Sequence, residues 1–131
     1  MSDDIEPAFL CTSSVFDIHA TVITREESTE FDFDKLDSAV RATESYAAYG
    51  EPQDLFDLAA AYAFYIAKAH AFIAGNKRTA VVACLAFLRL NGVPTSVYND
   101  DDLFEWTVGL VEDKLEREGF AERLRVPFQD H

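Results

Sequence analysis

Two long apolar runs joined by a short polar stretch constrain this chain more than anything else in it. The runs occupy residues 54–69 and 80–90, and the joint is His70-Ala71-Phe72-Ile73-Ala74-Gly75-Asn76-Lys77-Arg78-Thr79. A helix that is apolar on most sides belongs inside a bundle, against other helices. The first run carries Leu55, Leu58, Ala59, Tyr62, Ile66 and Ala69 on one side, with Phe56, Ala60, Ala63 and Phe64 on another. The pattern predicts one helix over about 54–70 and a second over 76–91, paired as the central hairpin of a single all-α domain. Gly92 supplies a stop for the second.

The joint carries chemistry as well as a turn. The first turn of a helix presents unpaired N–H groups and the positive end of the helix dipole, which together favour anions. Lys77 and Arg78 add positive charge there, and Gly75 allows a sharp turn and close approach of a ligand. His70, at the end of the preceding helix, places a base beside this cradle, and phosphate is the natural anion. Taken one at a time, a capping Asn and surface Lys and Arg fit an ordinary interhelical joint. Taken together at this spacing, they point to a functional loop.

The flanking sequence extends the bundle. Val15, Ile18, Val22 and Ile23 recur at helical spacing behind Thr12-Ser13-Ser14, which offers N-caps, so a helix is expected over about 13–25. His19 on it reads as a surface or packing residue rather than a ligand. Residues 26–34 read as a loop, with Phe31 and Phe33 as anchors into the core. A helix over about 34–47 presents Leu36, Ala39, Val40 and Thr43 on one face. Gly50 then suits a left-handed helix end, and Pro52 a new helix start. A fifth helix is expected over about 103–117, through Leu103, Trp106, Val108, Leu110, Val111 and Leu115, with a last turn or two at 120–124. Asp100-Asp101-Asp102 reads as its cap, because the triplet lacks the spacing of a calcium or magnesium loop.

Composition sets the boundaries. With 131 residues and 49% hydrophobic content the chain supports one domain with a core and is not disordered. One domain over 1–131 is expected, with flexible ends at 1–8 and 126–131. No apolar run approaches the roughly 20 residues that span a bilayer, and the acidic start lacks the pattern of a signal sequence. A soluble, cytoplasmic protein is therefore expected. Cys11 and Cys84 alone make neither a disulfide framework nor a zinc site. The formal charge of −13 disfavours direct contact with nucleic acid or anionic membrane. A solvated acidic surface is the plain reading; adaptation to high salt is a sharper one.

H-x-F-x-x-G-N-K-R-T-A, from His70 to Ala80, resembles the signature of the Fic/Doc superfamily. The Lys-Arg-Thr form, the preceding Asp54-Leu55-Phe56 and the following Phe87-Leu88-Arg89-Leu90-Asn91-Gly92 are similar to its Doc branch, the death-on-curing toxins. The likeness runs from about residue 10 to about 115. It implies that His70 is the general base, that Phe72 fixes the loop, and that Gly75, Asn76, Lys77, Arg78 and Thr79 bind the nucleotide, with Lys77 and Arg78 also in the catalytic set. It further implies ATP as donor and Mg2+ as its companion. Residues 44–52 would form a flap that docks the target's backbone.

The Fic branch transfers adenylyl groups. The Doc branch transfers the terminal phosphoryl group, with elongation factor Tu as its best-known target. Lys77, where Fic-type chains carry Gly, favours the phosphoryl reading and leaves adenylyl transfer as the alternative. One position departs from the family: the acid that usually holds the metal, four residues after the His, is Ala74. A methyl group cannot coordinate a cation. Three readings stay open: a variant with another route to the metal, a catalytically weak binding relative, or an engineered disarmed toxin. The resemblance also implies an antitoxin whose helical C-terminal segment lies in a groove near the motif. Phe9, Phe16, His19, Tyr46 and Tyr49 are candidates to line it, and self-association through the same surface is the other way to cover them.

Overall fold

In a computed structural model that describes residues 6–51 and 53–129, six α-helices follow one another. They are α1 (Thr12–Val22), α2 (Phe33–Tyr49), α3 (Leu55–Ala69), α4 (Asn76–Leu90), α5 (Asp100–Val111) and α6 (Arg117–Arg125), followed by a short 3-10 turn at Val126–Phe128. The only β-type pairing among the described residues is an isolated antiparallel bridge between Phe31 and Phe72. The all-α fold expected from the periodicity is the fold observed.

The central hairpin is α3 and α4. They share the most extensive contact, and α3 also packs on α2, α6 and α5. Small side chains permit this: Ala59, Ala60, Ala61, Ala63, Ala67, Ala80 and Ala83 are all buried, so the backbones approach closely around Tyr62, Ile66, Phe87 and Leu88. The Tyr62 hydroxyl, deep in the core, accepts a hydrogen bond from the Leu10 N–H at 2.9 Å. That contact ties the N-terminal segment to α3 and satisfies a polar atom burial would otherwise penalise.

The helix ends follow local chemistry, with several departures from expectation. α3 opens on a capping box: the Asp54 carboxylate accepts from the Asp57 N–H and the Asp57 carboxylate from the Asp54 N–H. Pro52, expected to start this helix, lies outside the described residues. α1 is capped by Cys11 without a side-chain hydrogen bond, and Thr12 instead donates to Asp37. α1 also ends at Val22 rather than near 25. α5 is capped by Asn99, which accepts from the Asp102 N–H; the three aspartates form its first turn, where they complement the dipole. It stops at Val111, and Asp113 turns the chain in a left-handed conformation. Arg117 therefore begins α6 instead of ending α5, and α6 is longer than the turn or two expected.

Three further expectations are corrected. α2 continues to Tyr49, so residues 44–49 are helix and not a flap or loop. Gly50 has φ −89° and is extended, not left-handed; glycine is needed there because a Cβ would lie 2.7 Å from the Tyr46 carbonyl oxygen. Phe31 and Phe33 do not anchor the core, being 39% and 57% exposed. The described parts of both ends are docked. Ala8 exchanges two hydrogen bonds with the Asn91 side chain, and Phe128 stacks on Phe56 at 5.5 Å. Gly92 does take a left-handed conformation, φ 86°, and closes α4 as expected. No helix among the described residues is long and apolar enough to cross a membrane.

Candidate functional site

His70 sits at the C-cap of α3 with φ 52° and ψ 42°. A left-handed histidine is uncommon, yet His is among the residues enriched there. The conformation turns the chain out of α3 at once and leaves His70 exposed, while Phe72 two residues on is buried. Gly75 takes the second left-handed position of the joint, φ 84°, and leads into α4. Two left-handed residues five apart thus fold the joint into a compact loop.

Four sets of contacts hold that loop. The Asn76 side chain spans it, with Nδ2 donating to the Phe72 carbonyl at 2.7 Å and Oδ1 accepting from the Phe72 N–H at 3.1 Å. On the outer side, Asp32 N–H donates to the Ala71 carbonyl at 2.8 Å and Ile73 N–H to the Glu30 carbonyl at 3.4 Å. On the inner side, the His19 ring stacks on Phe72, with centroids 3.7 Å apart and planes 7° apart. From α4, Arg78 reaches back to the turn after α1. It donates to the Val22 carbonyl at 2.6 Å and grips the Glu27 carboxylate with two nitrogens, at 3.1 and 2.7 Å. The Arg78 hydrogen bonds hold the Glu27 carboxyl down at about 2.

The residues expected from the sequence therefore occupy distinct stations. His70 is exposed and, with Lys35, lines a cleft of about 470 Å³ between the loop and residues 30–32. The Asn76 side chain is spent on the loop. The Arg78 guanidinium is spent on Glu27, so an anion could use it only by displacing that carboxylate. Thr79 is fully buried, out of reach of a surface ligand, which corrects its expected contact with a nucleotide. Lys77 has no carboxylate partner among the described residues. The backbone N–H groups of residues 74–78 likewise find no acceptor there, which leaves a run of donors at the start of α4. No group of three or more His, Cys, Asp or Glu among the described residues could hold a metal ion. With Ala74 at the usual ligand position, the residues present do not fit a protein-held divalent cation.

Sequence reasoning missed two parts. The segment that pairs with the loop is 30–32, whereas residues 44–49 of the expected flap are helix, and Glu27 carried no signal as the partner of Arg78. The aromatic residues expected to line one partner groove also separate. His19 is buried and Phe9 packs on Phe87. Phe16 packs at a tilt against Phe31 beside the loop, while Tyr46 and Tyr49 lie near the far end of α2, about 20 Å away at 1.5 Å per residue.

A bundle whose central hairpin carries an exposed His beside a free helix N-terminus defines a class that comparison makes definite. The sequence model of the Fic/DOC family matches residues 9–88, well over half the chain, and the chain belongs to that family. Its similarity lies on the Doc branch. It is 34% identical over 91 residues to "Protein kinase doc" of Escherichia phage P1, covering 70% of this chain and 71% of that protein. It is 40% identical over 76 residues to "Toxin Doc" of Mycolicibacterium smegmatis, covering 56% and 58%.

Proposed function

We propose that this chain is a Doc-type toxin that binds a nucleoside triphosphate, ATP, at the loop and transfers its terminal phosphoryl group to a hydroxyl of a cytoplasmic translation factor of the elongation factor Tu type. The observation that carries the reading is the make-up of one short joint: an exposed His70 opens it, and the backbone N–H groups of residues 74–78, which close it, have no acceptor among the described residues. The kinase and toxin names borne by the two relatives support it.

The chain's own groups divide the work. The N–H groups and Lys77 neutralise charge on the triphosphate, and Gly75 keeps the loop surface open. His70 accepts the proton of the target hydroxyl as its oxygen bonds to the terminal phosphorus; the bond from that phosphorus to the bridging oxygen breaks, and the diphosphate leaves. No step is routed through Mg2+, for which the residues present do not fit. Ala74 and the Arg78–Glu27 pair both remove groups that would steady a triphosphate, so a second reading is a catalytically weak relative that binds nucleotide or protein. Adenylyl transfer has less support because Lys77 replaces the glycine of Fic-type chains.

A partner surface accompanies the site. Phe16, Phe31 and Ile73 are exposed around the loop. A helical antitoxin segment laid on them would bury that apolar area and cover His70. Self-association over the same residues is the alternative.

Expression tests the reading. Growth should stop when Ala74→Asp is expressed and continue when His70→Ala is added to it. Continued growth with Ala74→Asp, together with ATP binding in calorimetry, would favour the binding relative. Continued growth without any ATP binding would remove the reading altogether.

A further inference from the structure

His19 is 2% exposed and lies in the last turn of α1, far in sequence from the loop it touches. Its ring stacks on Phe72, and its Nε2 lies 2.8 Å from the Ala74 carbonyl oxygen. Packing explains the stack but not the hydrogen bond. A carbonyl oxygen only accepts, so Nε2 must carry the proton. A trans peptide unit is planar, with its C=O and N–H pointing in opposite directions. Drawing the Ala74 carbonyl inward to His19 therefore turns the Gly75 N–H outward, away from α1. Were this unit flipped, a carbonyl oxygen would face an approaching anion in place of a donor. Gly75 is left-handed, and a Cβ on it would lie 3.0 Å from Ile23 Cγ2 and 3.5 Å from His19 Cδ2, so the ring packs directly against the unit it orients.

We infer that His19 is a positioning residue of the phosphate loop: its Nε2–H bond to Ala74 sets the 74–75 peptide so that the Gly75 N–H joins the anion-binding donors. The role rests on the reading of this loop as a phosphate cradle. His19 touches no substrate and works only through the peptide plane. It also accounts for a buried histidine where any aromatic ring would satisfy the stack on Phe72.

The full chain tests this through two variants. His19→Phe keeps the ring and loses the donor. His19→Gln loses the ring, but its amide nitrogen reaches about as far as the imidazole Nε2. Long-range 1H–15N spectra of the unaltered chain should show His19 protonated on Nε2. ATP affinity should fall about fivefold in His19→Phe, as for one lost hydrogen bond, and return to within about twofold in His19→Gln. Stability alone would not order the variants this way, since the glutamine sacrifices more packing. The Gly75 amide resonance should move in His19→Phe and return toward its position in His19→Gln. Protonation of His19 on Nδ1 alone, or ATP affinity unchanged in His19→Phe, would overturn the inference. If the unaltered chain binds no ATP, the phosphate reading fails by itself. The tautomer and the Gly75 resonance then still decide whether His19 orients the 74–75 peptide, and an unmoved Gly75 resonance in His19→Phe would reject that role.

Discussion

Arg78 is the motif cation that the structure removes from the exposed surface chemistry of the loop. Its two-pronged grip on Glu27 ties the first turn of α4 to the turn after α1. Because Glu27 sits at about 2 when folded and near 4.5 otherwise, the unfolded chain binds more protons between those values. The pair's contribution is thus complete above about pH 4.5 and lost as pH falls toward 2. Thermal melts of the chain and of Glu27→Gln should differ at pH 5 and converge near pH 2; a constant gap would mean that Glu27 acts otherwise than through its charge. Gly75 makes a second residue-scale case. Gly75→Ala places a methyl at positive φ against Ile23, and should cost about 1–2 kcal/mol from the left-handed conformation alone. Denaturant titration reads that loss.

At the scale of elements, α3 is held at its two ends by unlike devices. Its start uses the Asp54–Asp57 box, and Arg125 from α6 donates to both carboxylates, at 2.7 and 3.0 Å. Burial works to raise the Asp54 carboxyl, but the Arg125 and Asp57 hydrogen bonds outweigh it and hold it below the usual range. Asp54→Ala removes the cap and one anchor of α6, so it should lose about 1 kcal/mol or somewhat more. Asp54→Asn, which can still cap, should lose less. Equal melting temperatures for the two variants would show that the ion pair, not the cap, matters. The other end of α3 has no such device: His70 breaks the helix by its left-handed turn, and the loop is then held by α1, α4 and residues 30–32. Arg117, stacked 4.2 Å over Tyr46 and bonded to the Tyr65 hydroxyl, docks the start of α6 beside α2 and α3.

Over the whole molecule, charge and site oppose each other. The chain carries −13, so a triphosphate meets a repulsive field everywhere except where donors are concentrated. Exposed charges are screened within about 8–10 Å at physiological salt, so the local cradle governs binding at contact. Calorimetric titration with ATP should therefore show weak binding that falls as salt rises and changes little with magnesium. Ala74→Asp should make it magnesium-dependent. Strong magnesium dependence in the unaltered chain would show that some other group replaces the missing acid.

The helices and the motif were legible in the sequence because both are local. The polar joint separates α3 from α4, and periodicity selects Leu36, Ala39, Val40 and Thr43 as the buried face of α2, the four residues that are buried there. The exposed His beside a helix start follows from the order of ten residues. The sequence could not decide what holds the loop. His19 meets Ala74 across 55 positions, Arg78 meets Glu27 across 51, and residues 30–32 pair with 71–73 only because α1 and α2 bring them there. The same limit explains the misplaced flap. Residues 44–49 have no breaker before Gly50, and packing of α2 on α3 carries the helix to Tyr49. Local propensity settles which segments coil; which side chains then meet depends on how the bundle closes, and that is a property of the tertiary structure.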